Sequence, residues 1–563
     1  MKKLTILFSV LAVMACAKPV PQEFHVIPMP AEVNLTDGVF CVKGVAYDMD
    51  ENVDPASQDA ILRFVHALET ATGSKCKIAK GGIEFAVNFD LAPEQYVIDI
   101  TPKGARVEAL DLNGFVYACE TLKQMLPPAI YGSQKVKADW VLPCGRIEDQ
   151  PRFAYRGMHL DPCRHFFSIE ETKRYLDVMA AYKLNRFHWH LTEDQGWRME
   201  VKAYPKLTEI GAWRNGTVIK KDWNSNDGIR YGGFYTQEEM KEIVEYAAAR
   251  GITVIPEIDL PGHMVAALAS YPELGCTGGP YEVWTRWGVA PDILCAGNED
   301  VYTFLETVLT ELMDIFPSEY IHIGGDEAFN ESMGIPWDHC PKCAAKMKEL
   351  GIKKGPMAKH YLQNYVTARI QDFLNEHGRK IIGWDEVLEG NLAPGATVMS
   401  WRGVKGGIAA ANKGFDVVMT PNSYLYFDYY QSKERDKEPF AIGGYLPVEN
   451  VYAYEPYEGL TPEAQKHILG VQANLWTEYV ATPEHLEYML LPRMCALSEI
   501  QWCAADKKDY ARFDASIDHS FAMFDAMGLN YCMDDRGLIG LDRIPARTPE
   551  ELEEYLKENP RSW

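Results

Sequence analysis

"EYIHIGGDEAFN", residues 319–330, joins a short apolar run to a glycine pair and then to two adjacent carboxylates, Asp326 and Glu327. The residues around Ile321 read as a buried strand, the glycines break it, and two like charges stand side by side where it ends. Holding adjacent carboxylates at one strand end costs energy, because each disfavours ionisation of the other. The same strand-then-loop unit recurs outward from this point in both directions.

From Phe153 the chain repeats strand, loop and helix. Eight segments read as strands: "YRGMHLD" (155–161), "RFHWHLT" (186–192), "TVIPEID" (253–259), "YIHIGGD" (320–326), "KIIGWDE" (380–386), "TVMSW" (397–401), "DVVMTP" (416–421) and "LGVQANLW" (469–476). Amphipathic stretches such as "SIEETKRYLDVMAAYKL" and "TQEEMKEIVEYAAARG" separate most of them. Eight such units point to a (β/α)8 TIM barrel over residues 151–505, enlarged by long loops. A doubly wound open sheet is the alternative, but no G-x-G-x-x-G phosphate loop supports it.

The flanks differ from this rhythm. Residues 22–150 carry short alternating strands and a helix near Pro55–Thr72, which reads as a small α+β domain ending at Pro151. Residues 506–563 open on a helical pattern, "DYARFDASIDHSFAMFDAMGLNY", expected to pack on the barrel. The leader "MKKLTILFSVLAVMAC" has a basic start, an apolar run of signal-peptide length and Cys16 behind a small residue. It is expected to be cleaved before Cys16, giving an exported bacterial lipoprotein facing the periplasm or the cell surface, with membrane contact only through that lipid.

Of the 563 residues, 47% are hydrophobic and 24% charged, an ordinary globular balance that allows a large core. The net charge of −24 argues against nucleic acid and anionic membrane surfaces as partners. Thirteen cysteines are too sparse for a disulfide scaffold. Cys276 and Cys295 flank the loop "CTGGPYEVWTRWGVAPDILC" and read as a disulfide staple. "HCPKC", with Cys340 and Cys343, is half of a zinc pattern without a second pair at metal spacing, so a disulfide or free thiols are expected and no metal or cofactor.

In barrels of this kind the active site is built at the C-terminal strand ends. Those ends deliver Asp161 and Arg164; His188, His190 and Asp194; Glu257, Asp259 and His263; Asp326 and Glu327; Trp384, Asp385 and Trp401; Tyr426 and Asp428; and Trp476 with Glu478. Indole faces pack against the C–H faces of sugars, while carboxylates and an arginine bind hydroxyls. That mixture suits a neutral carbohydrate. Asp161 and Asp385 read equally well as structural ion-pair partners. "HWH" also invites a metal-hydrolase reading, but the later strand ends offer only His263 as a further imidazole.

Common glycosidases place two carboxylates about 5–10 Å apart on opposite sides of the scissile bond, which neighbours in sequence cannot easily do. A 2-acetamido sugar that attacks its own anomeric carbon removes the difficulty. One carboxyl then protonates the leaving oxygen and the other steadies the acetamide.

"DPCRHFF", "WHLTEDQGWR", "EIDLPGH", "HIGGDEAFN", "GWDEV" and "NLWTE" together resemble glycoside hydrolase family 20, the β-N-acetylhexosaminidases. The resemblance implies an exo-acting retaining glycosidase that removes terminal β-linked N-acetylhexosamine through an oxazolinium intermediate. It implies Glu327 as general acid and then base, and Asp326 as orienter of the acetamide. Tyr426 would bind the acetamide oxygen, Trp384, Trp401 and Trp476 would wall the pocket, and Arg164, Glu478 and Asp428 would hold hydroxyls. Asp194 and His263 would form a relay tuning Glu327, which is expected to stay protonated near neutral pH. Glu193 departs from the family's usual aspartate and is expected to matter little. Release of a disaccharide or a sulfated sugar, or a silent glycan-binding role, are the competing readings. Trp284 and Trp287 in the long loop read either as a leaving-group site or as a homodimer contact.

Overall fold

A computed structural model describes residues 24–390 and 392–533. The leader 1–16, Cys16 and the part of the 506–563 extension beyond residue 533 lie outside the described residues.

The N-terminal domain is a seven-stranded sheet in the order β1-β7-β5-β6-β4-β2-β3. Its strands are β1 (Glu32–Cys41), β2 (Ala46–Met49), β3 (Lys77–Ile78), β4 (Ile83–Val87), β5 (Tyr96–Thr101), β6 (Gly104–Ala109) and β7 (Val141–Asp149). Helices α1 (Pro55–Thr72) and α2 (Leu112–Gln124) pack on it. Asp54 accepts hydrogen bonds from the Ala56 and Ser57 amides, Pro55 occupies the first turn, and Gly73 closes α1 at φ 64°. Tyr96, Ile98 and Ile100 of β5 share one core with Phe64, Leu68, Phe115 and Leu122 of the helices.

Eight parallel strands then close a barrel in sequence order. They are β8 (Tyr155–Leu160), β9 (Arg186–His190), β10 (Thr253–Glu257), β11 (Tyr320–His322), β12 (Lys380–Trp384), β13 (Thr397–Ser400), β14 (Val417–Met419) and β15 (Ile468–Ala473). All eight segments read as strands from sequence are present in the barrel. Helices α3 (Ile169–Ala181) and α4 (Gln237–Ala248) both start in capping boxes, Ser168 with Glu171 and Thr236 with Glu239.

The period-two alternation of "RFHWH" explains its composition. Phe187 and Trp189 point outward into the helix layer, where Trp189 meets Tyr235 at 4.6 Å and Phe187 meets Tyr175 of α3 at 5.9 Å between ring centroids. His188 and His190 point inward. Strand register sets His159 opposite His188, and Glu257 opposite both His190 and His322. These residues form a polar layer next to the apolar one made by Tyr155, Ile255, Ile382, Trp384, Met399 and Val418. The histidines are therefore neighbours of a buried carboxylate, and the two-histidine metal reading of "HWH" is not needed to explain them.

Helices α5 (Arg493–Trp502) and α6 (Tyr510–Met527) join the two domains. Arg512 of α6 donates to Glu499 at 2.7 Å and to the Val26 carbonyl at 3.1 Å. Between domains, Lys183 Nζ lies 3.0 Å from Asp149 Oδ2 with both side chains fully buried, and the Trp502 indole donates to Asp149 at 2.8 Å. One expectation fails here. Cys276 and Cys295 are not joined as a disulfide; none of the described cysteines is in one, and Cys276 Sγ lies 3.8 Å from Cys343 Sγ in the next loop.

Lys183→Met keeps most of the buried stem and deletes the charge opposite Asp149. Breaking a buried pair from one side should cost about 3–5 kcal/mol. Urea unfolding of the variant checks this, and a loss below about 1 kcal/mol, the range of surface pairs, would show that the interface does not depend on the pair.

Candidate active site

The stretch that ends β11 is shaped by its glycines. A Cβ on Gly324 (φ 62°) would sit 1.7 Å from Asp259 Oδ1, and Gly325 (φ 96°) donates its amide to the same oxygen at 3.0 Å. Glu327 then adopts φ 44°, a left-handed conformation uncommon for a side chain of this size. That turn separates the neighbours. Asp326 stays inward with its side chain 12% exposed, while Glu327 faces the opening at 44%.

His263 stands beside both, its Nε2 3.7 Å from Glu327 Oε2 and 3.8 Å from Asp326 Oδ2. It too is left-handed, at φ 50°. Its other nitrogen faces Glu193 Oε1 at 2.6 Å and Asp194 Oδ2 at 3.3 Å. Asp194 is itself fixed by the Val265 and Ala290 amides, each donating at 3.1 Å.

Glu193 is the residue that sequence reasoning undervalued. The short hairpin Thr192–Glu193 against Gly196–Trp197 turns it into the interior, where it is 1% exposed. Besides His263 it meets Arg164 at 3.0 Å and His190 Nε2 at 3.1 Å, and it accepts the Asp194 amide at 2.8 Å. His190 passes the contact on through Nδ1, 2.5 Å from Glu257. Glu257 also has His188 and His322 within 2.9 Å and accepts the Trp384 indole at 2.9 Å. Carboxylates and imidazoles thus alternate from the barrel centre to its mouth: Glu257, His190, Glu193, His263, Glu327.

The charges follow from these contacts. Burial disfavours the imidazolium form of His190 and His263, but Glu257 and Glu193 on His190, and Glu193 with Asp194 and Glu327 around His263, raise both well above the usual histidine range. Burial pushes Glu193 upward, and Arg164 and His263 outweigh it and hold it ionised. Glu327 behaves likewise: burial raises it, but His263 and Arg164 bring it below its ordinary value. The expectation that Glu327 rests protonated draws no support from these contacts, because the imidazole and guanidinium charges hold its carboxyl below the ordinary range. Asp326 goes the other way, to about 6, through burial and then the charge of Glu327, with His263 opposing.

The remaining predicted residues gather on the same mouth. Trp401 and Tyr426 stack at 6.1 Å, Tyr426 lies 6.4 Å from Trp476, and Trp476 lies 5.8 Å from Trp384. Trp384 is only 1% exposed, a floor more than a wall. Arg164 covers Trp476 at 5.1 Å and donates to Gln195 and Asp161. Its charge reaches Glu478, which burial raises, and Glu478 in turn helps burial raise Asp428. Asp161 and Asp385 serve structure: Asp161 accepts the Cys163 and Thr477 amides, and Asp385 holds Arg402 at 2.6 Å. Trp287 is buried against His165 and Arg214, so it offers no surface for a dimer contact, while Trp284 donates its amide to Asp194. Glu386 is a further site carboxyl that sequence reasoning passed over. It accepts the Trp401 indole at 3.0 Å, and burial and then the charge of Asp326 push it well up. Its position two residues past the end of β12 was the available signal.

Comparison with known proteins follows the same division of the chain. The signature described as "Glycosyl hydrolase family 20, catalytic domain" matches residues 153–505, and "Glycosyl hydrolase family 20, domain 2" matches residues 23–150. A beta-hexosaminidase of Porphyromonas gingivalis is 41% identical over 556 residues, covering 94% of this chain and 68% of that one. A beta-hexosaminidase of Vibrio furnissii is 37% identical, covering 75% of this chain and 67% of its own. Among solved structures, the GH20 beta-N-acetylhexosaminidase of Streptomyces coelicolor A3(2) superposes with a TM-score of 0.80 at 30% identity, covering 92% of this chain and 99% of that one. A Streptomyces plicatus beta-hexosaminidase in complex with Thio-NAglucal gives 0.79 at 31% identity, covering 92% and 98%.

Glu193→Gln keeps the shape of the hub and removes its charge. The His263 imidazolium should then titrate at least one unit lower, a change worth about 1.4 kcal/mol per unit. Nitrogen-detected NMR of the histidine rings reads this directly, and an unmoved His263 would show that Glu193 does not hold it charged.

Proposed function

We propose how this chain, which belongs to glycosyl hydrolase family 20 and is a β-N-acetylhexosaminidase, releases a terminal β-linked N-acetylglucosamine from a glycan. The observation that carries the proposal is the divergence of Asp326 and Glu327. The acid faces the opening, while its neighbour turns into the aromatic pocket, where its charge reaches Tyr426 and Glu386. Two carboxylates disposed this way do not flank a bond from opposite sides, which fits the substrate-assisted exception already attributed to this family.

In the first step the acetamido carbonyl oxygen attacks the anomeric carbon and the bond to the leaving oxygen breaks. Glu327 gives that oxygen a proton, which it draws from His263 once the sugar has displaced water from the cleft. Asp326, whose Oδ1 has no hydrogen-bond partner among the described residues, accepts the acetamide N–H and stabilises the positive charge of the oxazolinium. Tyr426 donates its hydroxyl to the acetamide oxygen. Trp384, Trp401 and Trp476 pack on the apolar parts of the sugar, and Arg164, Asp428 and Glu478 bind its hydroxyls. In the second step Glu327 takes a proton from water as the water adds to the anomeric carbon from the face the leaving group vacated. The acetamide is released intact and configuration is retained.

Leaving-group ability separates the two carboxyls. Glu327→Gln should lose about 10²–10⁴-fold in kcat on a chitooligosaccharide and less than about tenfold on a dinitrophenyl glycoside, which needs no proton. Asp326→Asn should lose about 10²–10³-fold on both. Equal, small losses in the two variants would contradict the roles. The pH profile adds a sign. Asp326 works as the anion and its carboxyl is raised to about 6, so kcat/KM should fall as pH drops through about 6. Because the charge of Glu327 contributes to that rise, the acid limb of Glu327→Gln on the activated substrate should move to lower pH. An unmoved limb would mean that another group sets it.

A further inference from the structure

Away from the chemistry, four cysteines meet between two barrel loops. Cys276 and Cys295 close the neck of the loop that follows β10, where Gly275 pairs with Leu294 and the Cys295 amide donates to Leu274 at 2.9 Å. Cys340 and Cys343 open the helix Pro341–Glu349, in the segment that follows Glu327. Cys295 Sγ lies 3.6 Å from Cys340 and 3.7 Å from Cys343, and Cys276 lies 3.8 Å from Cys343. All four sulfurs are within 4.8 Å of one another.

We propose that these four cysteines bind one structural zinc ion as thiolates. A tetrahedron of zinc–sulfur bonds of about 2.3 Å has edges of about 3.8 Å, which the three close distances match. Cys295 and Cys343 each stand within 3.8 Å of two other sulfurs, so the four are linked as one cluster and not as two separate pairs. Cys295, Cys340 and Cys343 are buried and Cys276 half-buried, so the centre is shielded, as closed structural sites are. Gly297, two residues after Cys295, brings its backbone against the Lys342–Cys343 peptide. Gly297 is required for that approach, since a Cβ there would come within 2.2 Å of the Lys342 carbonyl group. Four soft sulfur donors in tetrahedral array favour zinc over the hard cations, which take oxygen. This assignment replaces the disulfide and free-thiol expectations drawn from the sequence.

The ion ties the two loops that shape one side of the pocket. The Trp337 indole donates to Leu294 at 2.8 Å and Asn330 donates to Val289 at 2.7 Å across the same seam. The loop held in this way carries Ala290, whose amide fixes Asp194 of the relay. Zinc therefore acts as a positioning element for the acid–imidazole chain and takes no part in the reaction.

Elemental analysis of the enzyme, purified without metal-affinity steps or added metal, should find about one zinc per chain, and X-ray absorption should show four sulfur neighbours at about 2.3 Å. Cys343→Ser should lose that zinc. Replacement of zinc by cobalt(II) should give thiolate-to-metal charge transfer and the visible bands of a tetrahedral centre. Four thiols without metal, a disulfide mapped between any two of these cysteines, or iron in place of zinc would each overturn the assignment.

Discussion

Everything at the mouth of this barrel depends on one alternation of charge. Glu257, His190, Glu193, His263 and Glu327 succeed one another at contacts of 2.5, 3.1, 2.6 and 3.7 Å, and all but the last are buried. A lone buried charge is costly, and a buried pair is at best near balance. A chain in which each carboxylate meets at least one cation, and the central Glu193 meets them on both sides, is an arrangement in which ionised groups can persist in a core. Arg164 completes it by adding a guanidinium to Glu193. The network fixes where the His263 imidazole stands.

That order divides the carboxyls of the site into two sets. Glu257, Glu193 and Glu327 face imidazolium or guanidinium groups and are held down. Asp259, Asp326 and Glu386 face other carboxyls and are pushed up, burial being the largest cause in each. Residues adjacent in sequence thus shift in opposite directions because a left-handed turn at Glu327 sends them into different surroundings.

Much of this was legible in the sequence because strands and their ends follow local rules. The apolar run around Ile321 with the glycine pair behind it located β11, and the amphipathic stretches that begin at Ser168 and Thr236 located helices. Residues a strand end delivers could be named: Arg164, Tyr426, Trp476 and the pair itself. What could not be read was how side chains meet across strands. Glu193 looked like a conservative departure beside a relay aspartate, yet the hairpin after β9 swings it between Arg164 and His263. The resting ionisation of Glu327 depends on that same meeting. The cysteines failed for a related reason, since spacing along the chain hid a convergence made by two loops separated by the helix Glu299–Ile315.

The central claim is that the nucleophile is the substrate's own acetamide oxygen, steered by Asp326. It is tested most directly by a series of aryl glycosides whose N-acetyl group carries zero, one, two and three fluorines. Fluorine withdraws electrons from the carbonyl oxygen and changes the rest of the sugar little. The mechanism requires log kcat/KM to fall steadily along the series, with no glycosylated side chain found by mass spectrometry of the quenched enzyme. A flat series, or a covalent glycosyl–carboxylate adduct, would contradict it.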